Sequence, residues 1–71
     1  MAISYNRLWK LLIDKNINKT GLRDKVGFSN GTLAKLSKNE AVALTVLENI
    51  CATLDCQFSD LIEYIPDETN I

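Results

Sequence analysis

Two capping patterns separated by a glycine constrain this chain more than any other feature. In Ile17-Asn18-Lys19-Thr20-Gly21-Leu22 a capping residue, Asn18, sits between apolar residues five apart, and Phe28-Ser29-Asn30-Gly31-Thr32-Leu33 repeats the arrangement around Ser29. Each is a hydrophobic staple, in which the apolar residue before the cap packs on one in the first turns and sets the angle at which the chain enters a helix. Between them lies Val26-Gly27, where glycine can take the left-handed conformation that closes a helix. The spacing predicts a helix over about Lys19–Val26, a turn of about three residues, and a second helix from Asn30 to Lys38. Two short helices joined by a glycine-containing turn make a helix-turn-helix.

The flanking segments read as helices too. Leu8, Leu11 and Leu12 follow the i, i+3, i+4 pattern between Ser4, a cap, and Asn16, a stop. Thr45-x-x-Glu48 is a capping box ahead of Leu47, Ile50, Cys51 and Leu54, and an alternative start at Ala43 would give the staple Val42–Leu47. A last short helix is expected over about Phe58–Tyr64, burying Phe58, Leu61 and Ile62 and ending before Pro66. Strand signals are nearly absent, and at most Ala2-Ile3-Ser4 could pair with something. The expected fold is therefore all-α, a compact five-helix bundle, as one domain over 1–71 with a core of about 5–64 and a short tail, 65–71. A chain of 71 residues buries only roughly 60% of its unfolded surface, which leaves little room for a deep cleft.

Several function classes drop out on composition. There is no histidine, so the commonest general base and metal ligand is missing. No Gly-rich phosphate loop, G-x-S-x-G or H-E-x-x-H occurs, so neither an enzyme nor a cofactor is expected. Leu11-Leu12-Ile13 is the longest apolar run near the start, far short of a secretory or membrane segment, and a cytoplasmic location follows as the default. In that reducing setting Cys51 and Cys56 are expected as free thiols, packed as small hydrophobes.

The net charge of −1 conceals a division. All eight Lys and Arg lie in the first 38 residues, where only Asp14 and Asp24 oppose them, leaving +6; seven acids and no base follow from Asn39 onward, giving −7. Such asymmetry points to a polyanionic partner.

Leu22-x-x-x-Val26-Gly27-Phe28-Ser29-x-x-Thr32-Leu33-x-x-Leu36 resembles the core of the Cro/C1-type (XRE-like) helix-turn-helix domain, the lambda-repressor-like DNA-binding fold. Val42-Ala43-Leu44, Leu47-x-x-Ile50-Cys51-x-x-Leu54-Asp55-Cys56 and Asp60-Leu61-Ile62 are similar to that family's fourth and fifth helices. The opening Ser4-Tyr5-Asn6-Arg7-Leu8-Trp9-Lys10-Leu11-Leu12-Ile13-Asp14-Lys15 resembles a branch of very short single-domain regulators that includes VanU-type proteins. The resemblance covers roughly 5–64 and implies a transcriptional regulator whose third helix enters the major groove of double-stranded DNA. Two positions depart from it. Arg23 stands where relatives usually have Ala, so its stem must swing outward or the interhelical angle must differ. Gly31 stands where relatives often present a base-reading side chain, and it and Gly21 each weaken a first helical turn by about 0.5–1 kcal/mol relative to Ala.

Helical geometry separates the faces independently. Counted from Asn30, Leu33 and Leu36 fall at about 300° and 240° and point inward, whereas Asn30, Gly31, Ala34, Lys35 and Lys38 spread between about 0° and 140°. At about 13 Å the helix suits a major groove about 12 Å wide. Expected base contacts are Asn30, Gly31, Ala34 and Lys35, since Asn pairs with adenine and Lys reaches guanine. Expected phosphate contacts are Lys19 and Thr20 at a helix start, where free N–H groups and the dipole favour an anion, with Thr32, Lys38 and Asn39 around the second helix. Ordinary roles compete: a helix-start residue for Asn30, solvated lysines for Lys19, Lys35 and Lys38, interface packing for Thr32. Trp9 and Ile13 form a stripe beside the core face that either lies under a folded-back Tyr64-Ile65 or, with the C-terminal segment, contacts a second copy in a homodimer. The competing function is a protein-interaction module, antitoxin-like or anti-repressor, that keeps the fold without specific DNA binding.

Overall fold

The computed structural model describes residues 2–66. Four helices form its body: α1, Asn6–Asp14; α2, Lys19–Val26; α3, Asn30–Ser37; and α4, Leu44–Leu54. A single 3-10 turn, Phe58–Asp60, follows α4, and two short strands, β1 at Ala2–Ser4 and β2 at Glu63–Ile65, bracket the chain. The strands pair antiparallel, Ala2 with Ile65, Ile3 with Tyr64 and Ser4 with Glu63. Among the described residues no helix is long and apolar enough to cross a membrane.

The fold is mostly helical and holds the expected helix-turn-helix, but the count of five helices and the absence of a sheet are corrected. Gln57 N–H donates to Asp60 Oδ2 at 2.9 Å, half of a capping box that starts a single turn. Leu61 then drops into the core, and the chain leaves the turn extended to meet β1. A helix running on to Tyr64 would forgo that pairing. Phe58 is exposed rather than buried, and so are Tyr64 and Ile65. The latter two fold back onto Ile3 and Ala2, not onto Trp9 and Ile13. Ile13 is left 76% exposed. Because Ala2 and Ile65 are partners, structure extends on both sides of the expected 5–64 core; the rest of the expected tail, 67–71, lies outside the described residues.

The core gathers one stripe from each helix. Leu8 and Leu12 of α1, Leu22 of α2, Leu36 of α3, and Leu47, Ile50 and Leu54 of α4 are buried with Tyr5 and Leu61. Tyr5 ties the helix-turn-helix to the amino-terminal end: its hydroxyl donates to the Glu40 carbonyl at 2.7 Å, and its N–H donates to Asn39 Oδ1 at 3.0 Å. Ser4 Oγ accepts from Asn6 N–H at 3.1 Å, but the cap of α1 is Tyr5, one residue later than expected, and it makes no side-chain cap bond. At α4 the chain takes the Ala43 start: Ala43 is the cap, without a side-chain bond. Val42, half-buried, and Leu47 supply the staple, and the Thr45–Glu48 box is not used.

Each of the four helices is followed within two residues by one of positive φ. These are Asn16 at 60°, Gly27 at 92°, Asn39 at 59° and Asp55 at 54°. After α4 the Cys56 N–H reaches back to the Cys51 carbonyl at 3.1 Å, a six-residue closure that brings the two flanking side chains together. Cys51 and Cys56 are free and half-buried there.

Candidate nucleic-acid interface

α2 starts where the capping pattern puts it. Asn18 is extended, with ψ of 171°, and its Oδ1 accepts from Gly21 N–H at 2.6 Å. A Cβ at Gly21 would stand 3.0 Å from that same oxygen, so glycine gives the cap room to close; the sequence showed only its cost to the helix. Gly27 ends the helix in the left-handed region, its N–H bonded to the Arg23 carbonyl at 2.7 Å. Two residues later Ser29 caps α3, accepting from Thr32 N–H at 3.2 Å. Loss of a side-chain cap of this kind costs about 1 kcal/mol, so the two caps fix where α2 and α3 begin.

The faces of α3 divide as helical geometry requires. Leu36 is fully buried and Leu33 half-buried, while Asn30, Gly31, Ala34, Lys35 and Lys38 are all exposed. Neither lysine has an acidic partner among the described residues. Gly31 is not demanded by packing, since a Cβ there would meet only Ser29 Oγ at an ordinary 3.7 Å. The middle of the outer face is thus low and open.

Other expected contacts have intramolecular ties. Lys19 is exposed, and its Nζ lies 4.2 Å from the centroid of the Trp9 ring. Trp9 is accordingly half-covered from above and packed on the core below. Thr20 is exposed beside it. Thr32 is half-buried, with Oγ1 3.2 Å from Ser29 Oγ, which places it in the cap. Lys38 follows the last turn of α3, and Asn39 spends its amide oxygen on Tyr5, leaving its NH2 group for an outside acceptor.

Arg23 shows which of two accommodations the chain uses: the stem swings outward. Its Nη1 donates to Asn30 Oδ1 across the α2–α3 junction. Its Nε and Nη2 donate to Asp24 Oδ1 at 3.1 and 3.0 Å. Asn30 is therefore brought into one cluster with Arg23 and Asp24. Sequence reasoning flagged Arg23 as misplaced without finding its partners. The only signal was its spacing of seven from Asn30 across a tight turn.

Comparison with known proteins gives a consistent result. A family profile described as the Cro/C1-type HTH DNA-binding domain matches residues 7–67. The chain is 37% identical over 70 residues to an uncharacterized HTH-type transcriptional regulator, YozG, of Bacillus subtilis (strain 168), spanning 96% of this chain and 82% of that protein. The crystal structure of the transcriptional regulator VanUg (form II) superposes with a TM-score of 0.90 at 56% identity, covering 93% of this chain and 88% of that one.

Proposed function

Because the chain belongs to the family of Cro/C1-type helix-turn-helix DNA-binding domains and is a DNA-binding transcriptional regulator, we propose that α3 lies in the major groove. Asn30, Gly31, Ala34 and Lys35 face base edges there, and Lys19, Thr20, Lys38 and Asn39 hold phosphates. The observation that supports this reading is the division of α3 into a buried Leu36 side and a low, exposed outer side, whose two lysines have no acidic partner among the described residues. Gly31 and Ala34 let the backbone approach, and Lys35 reaches guanine O6 or N7. Lys19 and Thr20 stand at the start of α2, whose N–H groups and dipole favour an anion. Thr32 is assigned to the cap.

The acids from Glu40 onward lie beyond α3 in the chain. In this reading they repel phosphate on that side and orient the approach. A homodimer on a two-fold-related operator completes the proposal, with Trp9, Ile13 or the exposed pair Tyr64 and Ile65 as contact surface. A cytoplasmic location goes with it.

Selection of bound duplexes from a random pool tests the whole reading. Retention at about 50 mM salt should fall steeply toward 200 mM, because each released counterion contributes nearly one unit to the salt slope. Half-sites about one helical turn apart would report the dimer. A protein that retains no duplex at low salt is instead an interaction module that keeps the fold alone.

A further inference from the structure

The guanidinium of Arg23 is held from two sides where α2 meets α3. It donates to Asn30 Oδ1 through Nη1 and to Asp24 Oδ1 through Nε and Nη2. The Arg23 side chain is 28% exposed against 66% for Asp24, so the fork rests on the protein surface. A guanidinium carries donors only. The Asn30 amide therefore turns its oxygen toward Arg23 and leaves its NH2 group for whatever approaches α3. An amide ordinarily offers both a donor and an acceptor; this one is set as a donor.

We infer that Arg23 is a specificity-determining residue of the interface, holding the Asn30 amide so that it reads guanine in place of adenine. The inference rests on the DNA-binding reading above. Bidentate pairing of Asn with adenine needs oxygen and nitrogen on the same base edge, the oxygen accepting from N6 and the nitrogen donating to N7. That arrangement is closed while the oxygen faces α2. Guanine presents two acceptors, N7 and O6, in the major groove, and an outward NH2 group matches them. Asp24 fixes the fork from its far side and keeps Arg23 from following the amide toward a base.

The test is selection from a random duplex pool with wild type, Arg23→Met, Arg23→Lys and Asn30→Ala, after thermal melts confirm folding. Met keeps the stem over the junction and removes every donor; Lys keeps the charge without the planar fork. The base pair read by Asn30 is the one whose preference Asn30→Ala abolishes. Wild type should prefer guanine there. Arg23→Met should move that position toward adenine by roughly tenfold in ratio, with other positions unchanged, and should add nothing when combined with Asn30→Ala. Arg23→Lys should shift the base preference likewise while keeping the wild-type salt slope, and it carries the comparison alone if the Met variant does not fold. Unchanged base preferences in the Arg23 variants would overturn the inference. So would uniform weakening on all sequences, which marks a phosphate contact, or an Asn30→Ala variant that keeps every preference. Failure of wild type to retain any duplex overturns the DNA-binding reading itself, and the two failures are thereby distinct.

Discussion

The ammonium of Lys19 lies 4.2 Å from the centroid of the Trp9 indole, so the first residue of α2 rests on the flank of α1. An exposed cation–π contact of this kind is worth about 0.5–1 kcal/mol. It holds a flexible side chain ready at the helix start without binding it strongly. If a phosphate takes the ammonium, the indole loses its cover. Trp9 is the one tryptophan, and its emission should therefore change when duplex is added. Lys19→Met should abolish that change and lower the salt slope of binding by about 1. A variant with the wild-type slope would show that Lys19 stays on Trp9 in the complex.

Lys35 and Lys38 are three apart on the open face of α3, and their roles should separate by substitution. Lys35→Ala is expected to relax base preference at one position, at a cost of about 1–3 kcal/mol on the preferred operator. Lys38→Ala should weaken all sequences alike and reduce the salt slope by about 1. Binding of both variants to preferred and scrambled duplexes over a salt series decides it. Identical profiles would sink the assignment of one to bases and the other to phosphates.

Asn39 and Asp55 both follow a helix in the left-handed region, at φ of 59° and 54°, but among the described residues only Asn39 makes a side-chain hydrogen bond there. Asp55→Gly removes the steric cost of that conformation and a negative charge from a helix carboxyl end, and should stabilise by about 0.5–1 kcal/mol. Asn39→Gly removes the acceptor of the Tyr5 N–H, in a residue that is fully buried, and should cost about 1 kcal/mol net. Urea unfolding of the two variants should move in opposite directions. A stabilised Asn39→Gly would mean that the bond to Tyr5 contributes little.

The helix-turn-helix was legible because its determinants are local. Asn18, Gly27 and Ser29 act within three or four residues of themselves, and a cap or a left-handed glycine leaves its mark in consecutive letters. The faces of α3 followed from periodicity alone. What escaped was non-local or came from side chains with more than one use. β1 and β2 are three residues each and lie at opposite ends of the chain, so neither carries a pattern until the other is beside it. Arg23 and Asn30 were visible as an oddity and a readout candidate, but their bond depends on how a stem leaves the α2–α3 junction. Phe58 read as core because one more turn of helix would have buried it; after Asp60 the chain instead goes extended to pair β2 with β1.

Cys51 and Cys56 meet at the close of α4, and their meeting has a consequence at alkaline pH. Burial, followed by the neighbouring Cys51 thiol and Asp60, pushes the Cys56 thiol up from 9.0 to about 11, with Lys15 acting the other way. The folded state thus keeps a proton that the unfolded chain releases near pH 9. The stability tied to that proton is fully present below pH 9 and is lost as pH rises toward 11. Burial also raises the Tyr5 phenol above 10.0, which adds a second loss at the upper end. Under reducing conditions the urea midpoint should therefore fall between pH 9 and 11, and Cys56→Ala should fall less over the first half of that range while keeping the later loss due to Tyr5. Equal losses in the two proteins across the whole range would show that the thiol pair takes no part.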